Sequence, residues 1–596
     1  MLPFIDTRSS LEIPHLVSKF ETVLTRYAFL AFKPLADATG ASVDELKLIA
    51  SFLLSYPLAG ILKRLPDSKP WQKNLYIIGV STFYLVVLFD LWDGLRTLLY
   101  SAVGAYTIAY YVDGSLMPWI GFMFLMGHMS LNHITRQIIN EPSVVDVTGA
   151  QMVLVMKLSA FCWNVHDGRL PKEQLSEGQR YAAIEKFPSI LDYAGYVFFF
   201  PSLFAGPAFD FVDYRRWIET TMFDSPPGVD PSKVPPTRKK RKIPRSGKPA
   251  MIKAAIGILW ILAFIKFSAW YNTELVLGDQ YMEYGFLRRV WIMHMLGFTT
   301  RLKYYGVWML TEGACILSGM GYNGFDPKTG KVNWDRLENV NPYGLETAQN
   351  PHGYLSNWNK NTNHWLRNYV YLRVTPRGKK PGFRASLATF STSAFWHGFY
   401  PGYYLAFILG SFVQTNAKHF RRNLRPFFLT PDGTKPTPQK RYYDILSWFI
   451  TQVVMSFAAA PFIILRFNDC ITAWSRVYFY GIIGVAASMA FFASPAKAFL
   501  GRELKAHTAT AGGGGAKAPS TATAAGRAAE KEKEEDKERE ERPPLGLPDD
   551  ISQDIDDAVQ EIRREIEGRR RRGSVVTMPT GQELKTAIEA RIGRKF

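Results

Sequence analysis

The sequence predicts an all-α, polytopic transmembrane protein, and three observations predict it. Runs of mostly apolar residues, near the length of about 20 that a bilayer crossing needs, recur along the first 500 of the 596 positions. Three strongly basic loops fall between them, at 233–248 (KVPPTRKKRKIPRSGK), 373–384 (RVTPRGKKPGFR) and 418–441, the pattern of cytosolic positive-inside loops. The third observation is a single residue. Ala385 to Ala417 contains no Asp, Glu, Lys or Arg, the longest such stretch of the chain, and His397 sits inside it. An ionisable group at bilayer depth is costly and marks function by default.

In chain order, the expected spans are 45–62, 74–91, 95–112, 116–134, 190–207, 250–270, 287–318, 384–397, 400–415, 443–466 and 474–498, about ten to twelve in all. The 287–318 run is long enough for two short helices. The 384–397 and 400–415 pieces are short and are interrupted by Gly398, Pro401 and Gly402. Broken helices survive at membrane depth only where protein buries them or where they line a cavity. The membrane-embedded part is therefore expected over 1–501 and a polar tail over 502–596. Within the tail, 508–547 is low in complexity and expected to be disordered. Ile551, Ile555, Val559, Ile562 and Ile566 then recur at spacings of 4, 4, 3 and 4, an amphipathic helix near 549–568. Arg571-Arg572-Gly573-Ser574 matches a basic-directed kinase pattern that is too short to carry weight.

The formal net charge is +19. From 501 to 596 there are 19 Lys and Arg against 19 Asp and Glu, so the excess belongs to the membrane part. Such a balance suits anionic headgroups, cytosolic loops or a polyanionic substrate. Nucleic acid is not an expected partner, because the basic residues lie between apolar segments and no nucleic-acid motif is present. Cys162, Cys315 and Cys470 are far apart, with no CxxC, so neither a disulfide framework nor a zinc site is indicated. The metal pattern HEXXH is missing too, and no metal or resident cofactor is expected. The N-terminal MLPFIDTRSS lacks the basic and short apolar regions of a cleavable signal, so the first span is expected to direct insertion.

Two segments carry chemistry. Residues 357–373 read NWNKNTNHWLRNYVYLR. Asn359, Thr362 and Asn363 fall at i, i+3 and i+4, which in a helix is one face. Amides inside a membrane must be hydrogen-bonded or wet; clustered, they position a substrate or donate to a developing oxyanion, or they simply glue helices together. His397 lies 38 residues beyond Asn359, room for a crossing helix, a basic loop and a return. Imidazole takes and gives protons near neutral pH, and a lipid hydroxyl is a poor nucleophile until a base removes its proton during attack. His364 is a second candidate base, expected to line substrate or to be structural. Glu312 and Asp146 are acidic residues at depth, where carboxylates pair or line a polar cavity. No G-x-S-x-G elbow is present.

Together the segments resemble the membrane-bound O-acyltransferase family. The residues that carry the resemblance are Trp358-Asn359 with Thr362-Asn363-His364-Trp365-Leu366-Arg367, then Phe395-Trp396-His397-Gly398-Phe399-Tyr400-Pro401-Gly402-Tyr403-Tyr404. It extends through most of 40–500 and is closest to the fungal broad-specificity lysophospholipid acyltransferase branch, with support from Gln151-Met152, Lys157, Asp167-Gly168, the 200–210 segment FPSLFAGPAFD and Thr311-Glu312-Gly313. The resemblance implies a helical shell around an internal tunnel, with two entrances meeting at catalytic His397 and Asn359. It also implies a multi-pass enzyme of the endoplasmic reticulum membrane that moves an acyl group from acyl-CoA to the free hydroxyl of a lysophospholipid. His397 would be the base in direct transfer, an acyl-histidine being the lesser alternative. Asn359 would donate to the carbonyl oxygen or fix the acceptor hydroxyl. The expected substrate-binding residues are Trp358, Thr362, Asn363, Trp365, Arg367, Arg373, Trp396, Tyr404, Glu312 and Gln151. Arg377, Lys379, Lys380 and Arg384 join Arg367 and Arg373 as candidates for the donor's phosphates. The rival readings are the same chemistry on diacylglycerol, a sterol or a protein, a scaffold recruited through the tail, and a proton-coupled transporter using His397 and Glu312. The last predicts inverted repeats, and none is visible.

Overall fold

The computed structural model describes residues 30–37, 42–139, 146–225, 228–237, 241–375, 383–431, 433 and 435–509. Regular structure among them is helical, with three isolated antiparallel bridges in loops. The N-terminal MLPFIDTRSS, the tail helix near 549–568, the Ser574 segment, Arg377, Lys379, Lys380 and the side chain of Arg384 lie outside the described residues.

Helix α1, Val43–Leu62, starts at a capping box: Ser42 Oγ accepts from the Glu45 amide, and the Glu45 carboxylate accepts from the Ser42 amide. Helix α2, Pro70–Thr82, opens on proline, whose missing N–H costs nothing there, and runs into a π turn, Phe83–Leu88. Helices α3, Trp92–Tyr111, and α4, Met117–Ile139, complete the first four expected spans.

Next comes a helix outside the expected spans, α5, Thr148–Gly168, buried at all but four of its 21 positions. Gln151, Lys157, Asn164 and Asp167 lower its apolarity and hid it. Protein encloses it, so neighbours satisfy those groups. Lys157 Nζ donates to the Tyr196 carbonyl at 2.5 Å and lies over the Tyr196 and Phe209 rings at 4.4 and 4.6 Å.

The expected span 190–207 is not one helix. Helix α6, Ile190–Val197, ends early, a 3₁₀ turn at Phe200–Ser202 follows, and α7, Phe211–Ile218, begins after a loop. Pro201 and Pro207 lack the amides a continuing helix needs. Helix α8 is Gly247–Ser268. Residues 287–318 belong to a single helix, α9, Phe286–Ser318, of 33 residues, stopped by Gly319 at φ 95°. At ~1.5 Å per residue α9 is about 50 Å long, well beyond a hydrocarbon core of ~30 Å.

The second half holds α10, Lys360–Leu366, with a π turn at Arg367–Tyr371, then α11, Phe383–His397, α12, Pro401–Asn423, and α13, Lys440–Ile464. The expected 474–498 span is split into α14, Phe467–Ser475, α15, Tyr480–Ala493, and α16, Pro495–Ala509. Tyr478 and Phe479, at φ 54° and 50°, bend the chain by 77° between α14 and α15.

By length and composition alone, three described helical stretches qualify as spans: α1, α8 extended to Leu277, and α13; α14 with α15 makes a fourth if the bent pair is one span. The other expected spans are too short or too polar to qualify individually, because they turn their polar residues toward protein. Leu259, Leu262, Ile445 and Phe449 are each more than half exposed, as lipid-facing side chains should be.

Among the described residues, two large apolar cores result, beside a small one of Tyr56, Ala250, Ala254, Ala314 and Ile316. One surrounds α5 and takes in Trp365 and Trp396; the other joins α9, α12, α13 and α14, with Trp358 packed against it. The 358–397 segment therefore lies along the seam between them.

Candidate active site

Asn359 caps α10 in the left-handed conformation, φ 44° and ψ 53°, which asparagine tolerates better than most residues. Asn339 holds the turn: its carbonyl accepts from the Lys360 amide at 2.9 Å, and its Oδ1 accepts from the Asn361 amide at 3.1 Å. Buried Thr362 donates its hydroxyl to Asn359 Oδ1 at 2.8 Å. With its carbonyl engaged, Asn359 has its amide NH₂ as the end that can donate. Asn363 does not join it: its Nδ2 donates to the Leu355 and Trp358 carbonyls at 3.0 and 2.9 Å, closing the preceding turn. The one-face expectation assumed that Asn359 is helical, and its left-handed cap moves it off that face. Trp358 packs against Trp308, Tyr304 and Tyr305 with ring centroids 4.9, 5.5 and 6.2 Å away.

His397 ends α11. Its imidazole is ringed by Trp396, Phe462, Phe407 and Tyr403 at 4.6, 4.8, 5.4 and 5.6 Å. The chain then turns sharply. Gly398 sits at φ 114°, and a Cβ there would lie 3.1 Å from His133 Nδ1. A Cβ on Gly402 would lie 2.1 Å from the Pro461 carbonyl oxygen. These glycines let α12 start directly against α13 and beside His397. The tyrosine packed against His397 is Tyr403, its ring tilted by 40°. Tyr404, the expected one, is turned a further ~100° around α12 and does not line the void at His397.

Helix α5 brings the two segments together. Trp396 Nε1 donates to the Met152 carbonyl at 3.0 Å, Thr362 Oγ1 lies 3.4 Å from Met156 Sδ, and Trp365 Nε1 donates to Ser159 Oγ at 2.9 Å. Met152, Met156 and Ser159 share one face at i, i+4 and i+7. The His397 segment and the Asn359 segment thus meet α5 one turn apart, about 6 Å, with the Trp365 and Trp396 rings 6.1 Å from each other.

Two voids open toward this region from opposite ends of α5. The larger, about 1580 Å³, lies at the Gly168 end and reaches inward to Met156. Its wall includes Trp365, Arg367, Arg373 and His364. Five Lys or Arg and five Asp or Glu line it, so its described wall is no basic funnel. Arg373 is already committed, in a buried bidentate pair with Asp167 at 2.8 and 2.5 Å. Arg336 pairs with Asp213 at 2.9 Å, and Lys360 with Glu338. Burial pushes the Asp210 carboxyl above the usual carboxylate range. His364 is largely exposed, 4.0 Å from Asp210.

The smaller void, about 270 Å³, lies at the Thr148 end and is lined by His397, His133, Arg136, Tyr403 and Arg466 among others. Arg136 pairs with Asp146 at 2.5 Å, just ahead of α5. Neither of these voids has both Asn359 and His397 on its wall. His397 borders the smaller, and Asn359 is linked through Thr362 to Met156 of the larger.

Glu312 and Gln151 line neither void. Glu312 is buried on α9 and pairs with Lys253 at 2.8 Å. Lys253 lies 3.8 Å from Glu338, the partner of Lys360, so the ion network ends beside Asn359. Gln151 faces α3 and α4, accepting from Asn132 at 2.5 Å and donating to Ser101 at 3.3 Å. His133, Arg136, Phe462 and Arg466 were missed in the sequence. His133 was findable, being a histidine within the expected span 116–134, the same signal that singled out His397.

Residues 139–460 match the membrane-bound O-acyltransferase family. The chain is 43% identical over 476 residues to a lysophospholipid acyltransferase of Schizosaccharomyces pombe, covering 80% of this chain and 91% of that one. It is 41% identical over 467 residues to a lysophospholipid acyltransferase of Saccharomyces cerevisiae, 77% of this chain and 75% of that one. With membrane-bound glycerophospholipid O-acyltransferase 1 of Mus musculus it shares 28% identity over 457 residues, 75% and 89% of the two chains.

Proposed function

The chain belongs to the membrane-bound O-acyltransferase family, and from that premise we propose how it performs its reaction. It is a lysophospholipid acyltransferase, working in phospholipid remodelling. The donor is acyl-CoA, entering through the void at the Gly168 end of α5. The acceptor is the free hydroxyl of a lysophospholipid, entering beside His397. The two routes join as one tunnel where Met152 and Met156 hold the two segments.

His397 takes the proton of the acceptor hydroxyl as its oxygen attacks the thioester carbonyl. The carbonyl oxygen gains charge in the tetrahedral intermediate, and Asn359 Nδ2 donates to it or fixes the acceptor hydroxyl. Collapse of the intermediate expels the CoA thiolate, which recovers the proton from His397. The products are a diacyl phospholipid and CoA, and no acyl-enzyme forms. The protein resides in the endoplasmic reticulum membrane, where tagged protein should co-localise with a marker of that membrane.

The observation that carries this reading is the anchoring of Trp396 and Thr362 one turn apart on α5. The test uses membranes containing the protein, labelled acyl-CoA and a panel of lysophospholipids. At unchanged protein level, both His397→Ala and Asn359→Ala should lose product. Undiminished turnover in His397→Ala would sink the base role.

A further inference from the structure

We propose that the small void beside His397 is the seat of the acceptor's phosphate group, with Arg466 as its principal ligand. The inference rests on the acyl-transfer reading and deepens it, by naming what recognises the lysophospholipid headgroup.

The charge on the wall points to an anion. Among the described residues that line it, Arg136 and Arg466 carry charge, and there is no carboxylate. The larger void, by contrast, balances its Lys and Arg with an equal number of acids. Arg136 is held by Asp146. Among the described residues, Arg466 has no carboxylate within ion-pair distance, and it is exposed. A guanidinium next to a void and without a counter-charge is suited to a phosphate oxygen, which it binds in a planar, two-pronged way.

Backbone geometry adds to the positive field. Arg466 caps the N-terminus of α14 and lines the void. Helix N-termini present free amides and partial positive charge to anions. Arg466 is also held in register with His397. Leu465 adopts φ 74°, and its carbonyl accepts from the Gly402 amide at 2.9 Å. The arginine therefore follows a turn tied to Gly402 in the first turn of α12, five residues after His397.

Size selects the part of the ligand. A void of about 270 Å³ is just below the ~300–1,000 Å³ typical of sites for whole drug-sized ligands. It suits a glycerophosphate unit better than an acyl chain, and it sets the glycerol hydroxyl next to the imidazole.

Both substrates carry phosphate, so the test must separate them. With detergent-solubilised protein, KM is measured for a lysophospholipid and for acyl-CoA in Arg466→Gln and Arg466→Lys, with protein amount read by fluorescence-detected size exclusion. A charge-assisted hydrogen bond of about 1.5–3 kcal/mol corresponds to a rise in lysophospholipid KM of roughly tenfold or more in Arg466→Gln. A smaller rise is expected in Arg466→Lys, and none in the KM for acyl-CoA. An unchanged lysophospholipid KM overturns the proposal, and so does a parallel rise for acyl-CoA. Failure of the catalytic reading looks different: His397→Ala would turn over normally, whatever Arg466→Gln does to KM.

Discussion

The hydroxyl of Thr362 offers a sharp test of how Asn359 is aimed. It donates to Asn359 Oδ1 at 2.8 Å from a buried position on the first turn of α10. Thr362→Val keeps nearly the same shape and removes that donor. The Asn359 carbonyl then loses its partner, and the amide rotates more freely. A neutral hydrogen bond of this kind contributes about 0.5–1.5 kcal/mol net. If all of it serves to hold the amide in the reactive geometry, kcat falls about two- to twelvefold, at about 1.4 kcal/mol per decade. Asn359→Ala removes the donor itself and should cost about 10²–10³-fold, the scale of a lost oxyanion donor. Thr362→Ser restores the hydroxyl and should keep most of the rate. The assay is initial-rate acyl transfer from labelled acyl-CoA at saturating lysophospholipid, with equal protein by immunoblot. Full activity in Thr362→Val beside an inactive Asn359→Ala would falsify the aiming role. So would equal losses in the Ser and Val variants.

Two further substitutions probe the scaffold. Gly402→Ala puts a Cβ 2.1 Å from the Pro461 carbonyl oxygen and 2.8 Å from Leu465 Cα, so α12 must shift away from α13. Overpacking of about 1–3 kcal/mol should lower the thermal midpoint in detergent and depress turnover, whereas a midpoint equal to the parent's refutes the close approach. Asp167→Asn leaves the Arg373 guanidinium buried without its counter-charge, a loss of about 3–5 kcal/mol when one partner of such a pair is removed. Adding Arg373→Met should recover much of the midpoint, and a double variant no better than the single shows that the pair is not the cause.

The sequence was most legible where composition and motif agree. Long apolar runs marked α1, α3, α4, α8 and α13 because their lipid-facing sides leave little room for polar residues. It was least legible at α5, whose Gln151, Lys157, Asn164 and Asp167 find their partners inside the protein. A scale that measures transfer into lipid cannot recognise a helix that never meets lipid. Spacing alone also misjudged Asn363, since a helical-face argument does not foresee a left-handed cap at Asn359. Tyr403 and Tyr404 are adjacent and chemically alike, and only the phase set by Pro401 at the start of α12 separates them. The arginines at the small void come from the end of α4 and the start of α14, 330 residues apart (466 − 136), so no local pattern links them to His397.

The two voids share no lining residue, so each can be filled without occupying the other. A compound shaped for the space beside His397 should compete with one substrate of the transfer and leave the KM of the other unchanged.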